Sequence, residues 1–352
     1  MKQYFFLFII LCISNSYAQN GRVLQNEIEK AMTYEVDMDT SKTTGWVIGC
    51  IDNDSAWVYG YGRVAKTKEV KPDGNTVFEI GGTSKIFTGA VIHKLVETQV
   101  LHYDSTINSY LKPAQRFPLG NKLTLLQVMT HTSGFSKLPD DFGMNEYDQD
   151  QPYIAYTEGA LFDNLKNIDT AYMKVGKYQY SHINHALLEI IIKNKGNYAD
   201  LTKFESHLAD TTVTYAQGYN PGQRPVLPWH FGETFRFSLG MKSTMNEMLD
   251  FMKTQMGIKD SLSYTSIAET QKALFKTEVD KNTSVGKIWH VLKVKKDVMV
   301  CIQSGSTNGQ SAFVAFVPQT KTAVVIFANS RMVQSKLGMI ILRMLNFNWK
   351  RV

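Results

Sequence analysis

Apolar residues follow two different periods along this chain. Leu24, Ile28 and Met32 recur at i, i+4 and i+8 within residues 22–36, the stripe of an amphipathic helix. Gly45-Trp46-Val47-Ile48-Gly49-Cys50-Ile51 is a short apolar run. Asp52-Asn53-Asp54 is a turn, and Ser55 to Tyr61 returns as a second strand of a hairpin. After Phe78-Glu79-Ile80 and two glycines the period becomes helical, pairing Ile86 with Ala90 and Phe87 with Val91 and Leu95. Helical spacing persists through Leu161, Leu165 and Ile168, then Ala186, Leu187, Ile190 and Ile191, then Met248 and Phe251. The last third reverts to strand-length runs: Gly286–Val291, Val298–Gln303, Ala312–Pro318 and Thr322–Asn329, with a closing helix Leu337–Leu345. Strands at both ends with helices between predict an α/β (α+β) chain. Its two ends share one antiparallel sheet, flanked by helices and interrupted by an inserted, mostly helical region. The expected sheet parts are about 19–80 and 285–352, and the helical part about 81–284.

Composition changes this picture little. The chain has 352 residues, 43% hydrophobic and 20% charged, which is ordinary globular usage. The net charge of +6 is scattered. Clusters such as Lys293-Val294-Lys295-Lys296 read as a strand end, so no nucleic-acid partner is expected. Residues 1–18 read as a secretory signal: a basic start with Lys2, an apolar Phe5–Ile13 and a small-residue cleavage site Ser16-Tyr17-Ala18. The expected mature domain is 19–352, exported to a periplasmic or extracellular location. Leu11 before Cys12 argues against lipidation, and no later apolar run is long enough to span a bilayer. Cys50 and Cys301 lie in apolar strands and read as buried free thiols. Gly60-x-Gly62-x-x-Ala65 mimics a dinucleotide fingerprint, but no helix follows it, so these glycines read as strand-end structure.

The chemistry concentrates around the glycine turn. Ile80-Gly81-Gly82-Thr83-Ser84-Lys85-Ile86-Phe87-Thr88 resembles the active-site segment of the serine β-lactamase, penicillin-binding protein and esterase superfamily, its class C-like branch especially. Further landmarks occur in the family's order. They are Leu123 to Gly134 (including Met129-Thr130-His131-Thr132-Ser133-Gly134), Tyr178-Gln179-Tyr180-Ser181-His182, Gly218-Tyr219, Leu239 to Thr244, and Gln303-Ser304-Gly305-Ser306. The resemblance covers essentially the whole mature chain and implies the β-lactamase/DD-peptidase-like fold.

The family pattern is Ser-x-x-Lys, serine and lysine sharing one helix face so that the amine can take the hydroxyl proton. Here the lysine is Lys85 and the position three before it is Gly82. Ser84, adjacent to Lys85, faces elsewhere. The resemblance further implies that Tyr180 is the proton-shuttling tyrosine and that His182 replaces an asparagine, with a possible charge below neutral pH. Gln303 replaces a cation of the third motif. The oxyanion hole would be the backbone N–H groups of Gly82 and Ser306, beside Gly305. His131 is implied to be structural, a turn packed under the site. A purely structural reading has Lys85 and Tyr180 as remnants held by mutual hydrogen bonds.

Three functions follow as expectations. The first is a secreted pseudoenzyme that binds a peptide, ester or cell-wall-like small molecule in the cleft. The second is a hydrolase of esterase, peptidase or β-lactamase type using a water activated by Lys85, Tyr180 or His182. The third is a non-catalytic envelope protein binding a partner through the acidic loop 140–150. No cofactor and no metal are expected: His182 and His185 are one turn apart, but no third ligand is evident.

Overall fold

A computed structural model describes residues 21–36, 44–144, 148, 150–171, 173–196, 199–202, 204–205, 212–259, 264–278, 280–295 and 298–346. The signal sequence, Glu146 of the acidic loop and much of the stretch between Gly196 and Tyr215 lie outside them.

Helix α1 (21–35) opens the described chain and leads to the hairpin β1 (Gly45–Asp52) and β2 (Ser55–Gly62). The middle of the chain holds β3 (Phe78–Glu79), α2 (Lys85–Glu97), α3 (Leu125–Met129), α4 (Glu158–Asn167), α5 (His182–Lys195) and α6 (Ala199–Thr202). After these come β4 (Gly218–Tyr219), β5 (Pro225–Val226), α7 (Arg236–Leu239), β6 (Lys242–Ser243), α8 (Met245–Gln255) and α9 (Tyr264–Thr270). The last third is β7 (Phe275–Lys276), β8 (Thr283–Val285), β9 (His290–Lys295), β10 (Val298–Ser306), β11 (Ser311–Val317), β12 (Thr322–Ala328) and α10 (Ser335–Leu345).

One sheet of eight strands runs β2-β1-β12-β11-β10-β9-β8-β7. The chain ends meet in it, β1 pairing antiparallel with β12 from Trp46 opposite Ala328 to Asp52 opposite Thr322. Both faces are covered, which is why β11 and β12 are apolar without alternation. Val47, Val314, Val325 and Phe327 face the helical insertion. Ile48, Phe313, Ala315 and Ile326 pack against Ile28 of α1 and Leu337 and Ile341 of α10. Cys50 and Cys301 are buried free thiols.

The expected strand Gly286–Val291 is divided. Gly286 N–H donates to Trp289 O at 2.8 Å, closing a turn between β8 and β9. The cause is burial: Trp289 turns fully inward, with its ring 4.9 Å from Phe316. The Gly60 and Gly62 pair has a steric origin, since a Cβ on Gly60 would stand 1.7 Å from Pro72 O and Gly62 has φ +66°.

Candidate active site

The end of β10 lies against a short 3-10 turn, Gly81–Ser84, that runs directly into α2. Glycine is demanded on both sides of this contact. Gly81 has φ +53°, and a Cβ there would meet Ser306 N at 2.6 Å. A Cβ on Gly305 would stand 2.3 Å from Gly82 N and from Ile80 O. The main chain of Gly82 is therefore held beside Gly305 and Ser306, and its N–H belongs to a first turn whose donors lack intrahelical acceptors. Gly82 itself differs. It has no left-handed φ, and an added Cβ would lie 3.2 Å from Tyr180 Oη and 3.3 Å from Ser304 O, tight but short of a backbone clash. Ser84 is turned away, its hydroxyl donating to Gly81 O at 2.6 Å and accepting from Met241 N–H at 3.2 Å.

Lys85 is 1% exposed. Its Nζ donates to Ser238 O at 2.7 Å and lies 5.3 Å from the centroid of the Tyr180 ring. In place of the expected mutual hydrogen bond, the amine bonds the α7 carbonyl of Ser238 and meets the tyrosine through its ring. Burial, and secondarily the positive charge of Lys137, hold the Lys85 amine well below the usual lysine range. Burial pushes the Tyr180 phenol up, so it is a proton donor rather than a base at neutral pH. His182, the first residue of α5, stands edge-on to Tyr180 with ring centroids 5.3 Å apart. Its pKa is held well below the ordinary histidine value by burial, then by Lys85 and Lys137. The charge expected on His182 just below neutral pH is thereby disfavoured, chiefly because an imidazolium would be desolvated there.

Gln303 bridges the turn to a relay that sequence inspection does not reveal. Its Nε2 donates to Gly82 O at 3.3 Å, and its Oε1 accepts from His290 Nδ1 at 3.1 Å. With that nitrogen protonated, His290 Nε2 accepts from the Tyr178 hydroxyl at 2.7 Å. Tyr178 and His290 are 112 positions apart, and only the register of β9 against β10, which pairs Ile302 with His290, brings the histidine beside Gln303.

His131 stands under the site in a left-handed conformation, φ +56°. Its Nδ1 accepts from Ser181 N–H at 3.1 Å and Asn184 Nδ2 at 3.2 Å, and its ring lies 4.8 Å from Tyr180. Burial holds it neutral, and an Nδ1 that accepts two hydrogen bonds has no lone pair free to act as a base. Asn184 also accepts from the Ser133 hydroxyl at 2.7 Å, fixing α3's following turn to α5. Thr83 Oγ1, Ser181 Oγ, His182 Nδ1, His185 Nδ1 and Ser238 Oγ are buried without a protein hydrogen-bond partner. Among the described residues no group of three or more His, Cys, Asp or Glu is placed to hold a metal.

The sequence profile of the Beta-lactamase family matches residues 28–337. The chain belongs to the beta-lactamase family. A beta-lactamase of Providencia stuartii is 23% identical, the match covering 92% of this chain and 91% of that protein. A beta-lactamase of Psychrobacter immobilis is 21% identical over 81% of this chain and 79% of that protein. Among solved structures, a class C beta-lactamase from Rhodobacter sphaeroides superimposes with TM-score 0.75 at 21% identity, over 93% of this chain and 100% of that one. A beta-lactamase/D-alanine carboxypeptidase from Pseudomonas syringae gives TM-score 0.75 at 19% identity, over 90% and 99%.

Within this beta-lactamase-family fold, Gly82, Lys85, Tyr180, His182, Gln303, Gly305 and Ser306 converge on one turn. Sequence reading missed Tyr178, His290 and Ser238. Tyr178 had a faint signal in its position two before Tyr180. His290 and Ser238 had none, since nothing local marks a strand histidine or a helix carbonyl as a partner of residues far away in sequence.

Proposed function

We propose that this beta-lactamase-family chain binds a carbonyl-bearing ligand of the peptide, ester or cell-wall type in its cleft without forming an acyl-enzyme. The carrying observation is Gly82: a side chain there would reach the Tyr180 hydroxyl, yet glycine brings none. In this reading Gly82 stands where relatives carry the nucleophilic serine. The main-chain N–H groups of Gly82 and Ser306 remain to hold a carbonyl oxygen, and Tyr180 remains a phenol able to donate to it. Gln303, uncharged and tied to Gly82 O and His290, supports a neutral cleft floor suited to carbonyls. The leader pattern of residues 1–18 supports export, and no described helix is long and apolar enough to cross a membrane.

The test is Gly82→Ser beside the parent, on a chromogenic cephalosporin, a p-nitrophenyl ester and a peptide ending in D-alanyl-D-alanine. The expected result is binding without acylation in the parent and measurable acylation in the variant. Covalent labelling of the parent by a fluorescent penicillin at any cleft residue would overturn the proposal. Weak hydrolysis through a Lys85-activated water is the second reading, favoured by the burial that lowers the pKa of the Lys85 amine. It requires parent activity that disappears in Lys85→Ala.

A further inference from the structure

We propose that a cavity flanking β3 binds a zwitterionic amino acid with an apolar side chain, its ammonium on Glu79 and its carboxylate on the ammonium groups of Lys68 and Lys242. The site is not the cleft discussed above: none of Gly82, Lys85, Tyr180, His182, Gln303 or Ser306 lines this cavity.

Charges of both signs line the cavity without pairing with each other. β3 runs antiparallel to β6, which sets Glu79 directly opposite Lys242. Directly opposed residues place their side chains on one face, where unlike charges usually meet. Here each is drawn to another partner. Glu79, 5% exposed, accepts from Trp229 N–H at 3.0 Å with Oε1 and from the Thr307 hydroxyl at 2.8 Å with Oε2. Lys242 Nζ lies over the Tyr215 ring, 5.5 Å from its centroid. Lys68, an exposed residue, brings a second ammonium to the lining. Among the described residues neither lysine forms an ion pair. A carboxylate offers about four acceptor positions, so two hydrogen bonds leave Glu79 able to accept from a ligand. The charge of Lys242 and the two hydrogen bonds also favour the Glu79 anion, against the burial that raises its pKa.

Size, lining and rigidity fit a small amphoteric molecule. The cavity measures about 280 Å³. Sites for drug-sized ligands run to roughly 300–1,000 Å³, so this one suits a smaller molecule. Val77, Val226 and Pro228 supply an apolar wall for a side chain. A ligand of one charge would answer Glu79 or the lysines but not both, whereas a zwitterion answers both. The frame is held by the protein's own hydrogen bonds. Gln310, 4% exposed, accepts from Glu79 N–H and donates to Ala216 O, both at 2.7 Å. Gln217 Nε2 donates to Gly218 O at 3.0 Å and to Val226 O at 2.8 Å. A wall fixed in this way has little left to order when a ligand arrives.

Equilibrium dialysis of the full chain with radiolabelled L-leucine at neutral pH tests the proposal. Isocaproate is leucine without its ammonium, and isoamylamine is leucine without its carboxylate. Saturable binding of leucine at one site is expected, with a Kd of about 1 mM or tighter. As competitors, isocaproate and isoamylamine should each be about tenfold or more weaker than unlabelled leucine, because each forgoes hydrogen bonds to a charged group. Glu79→Gln should weaken leucine and isoamylamine about tenfold and spare isocaproate. Lys68→Met should weaken leucine and isocaproate about threefold and spare isoamylamine, the smaller effect reflecting an exposed charge. That reversal of preference is not something a merely structural role of Glu79 would produce. The ranking of the three ligands on the parent needs no variant to fold. Absence of saturable leucine binding overturns the proposal. So does isocaproate matching leucine, which would make the cavity an anion site, and so does an unchanged leucine affinity in both variants. Displacement of leucine by benzylpenicillin would place leucine in the cleft and overturn the proposal while leaving the cleft reading intact. Leucine bound as expected in a protein that binds none of the penicillin, ester or peptide supports this site and removes the cleft reading alone.

Discussion

A Cβ placed on Gly82 stands 3.2 Å from the Tyr180 hydroxyl, with Ser304 O at 3.3 Å. The backbone at this position is ordinary, so a side chain is excluded neither by φ nor by a backbone clash. Gly81 and Gly305, on either side of the same contact, are glycines for steric reasons.

That contrast is measurable. Gly82→Ser should change stability by no more than about 1 kcal/mol, since a few tenths of an ångström of adjustment suffice and the unfolded chain loses freedom. Gly305→Ala should cost about 3 kcal/mol or more, because its methyl would stand 2.3 Å from Gly82 N and Ile80 O, neither of which can move without opening the turn. Urea midpoints of the two variants against the parent decide it. Equal losses would remove the distinction.

The histidines under the cleft predict sensitivity to acid. His182 has a folded pKa well below its ordinary value, so below about pH 6.5 the unfolded chain binds a proton that the folded chain refuses. Stability then falls as pH falls, by up to about 1.4 kcal/mol per pH unit for this residue, and the contribution is full again above about pH 7. His182→Asn should flatten the fall in urea-derived stability between pH 7 and pH 5 relative to the parent. Parallel curves would show that His182 charges freely.

His131 should prove structural. His131→Ala leaves the Ser181 N–H and the Asn184 amide without their acceptor and opens a cavity under Tyr180, a loss of about 3 kcal/mol in thermal or urea unfolding. His131→Asn should recover part of it, because asparagine tolerates φ +56° and places an oxygen near the Nδ1 position. No recovery, or no loss in the alanine variant, would contradict the acceptor role.

Gln303→Lys should be destabilising by about 2–4 kcal/mol. It removes the acceptor of His290 Nδ1–H and the amide donor to Gly82 O, and it buries a charge near His290 and Lys85. Chemical denaturation at pH 7 reads the effect. A neutral outcome would mean that the Gln303–His290–Tyr178 relay carries little energy.

Much of this protein is local information. The period switches located the terminal strands, the helices carrying Leu161 and Ile190, and the closing helix, because burial on one face or both imposes spacing on the sequence itself. The glycine turn, Lys85 and the Tyr180 segment were likewise legible as a motif. That position 82 carries glycine was legible too, since its identity is fixed by the chain alone. What the sequence could not contain is the environment of these groups. That Lys85 bonds Ser238 O, that burial lowers the pKa of His182, and that Gln303 bonds His290, which in turn bonds Tyr178, all depend on contacts between distant segments. Desolvation and hydrogen-bond partners arise only when the insertion closes on the sheet, so the chain named the candidate residues and the fold set their burial and their partners.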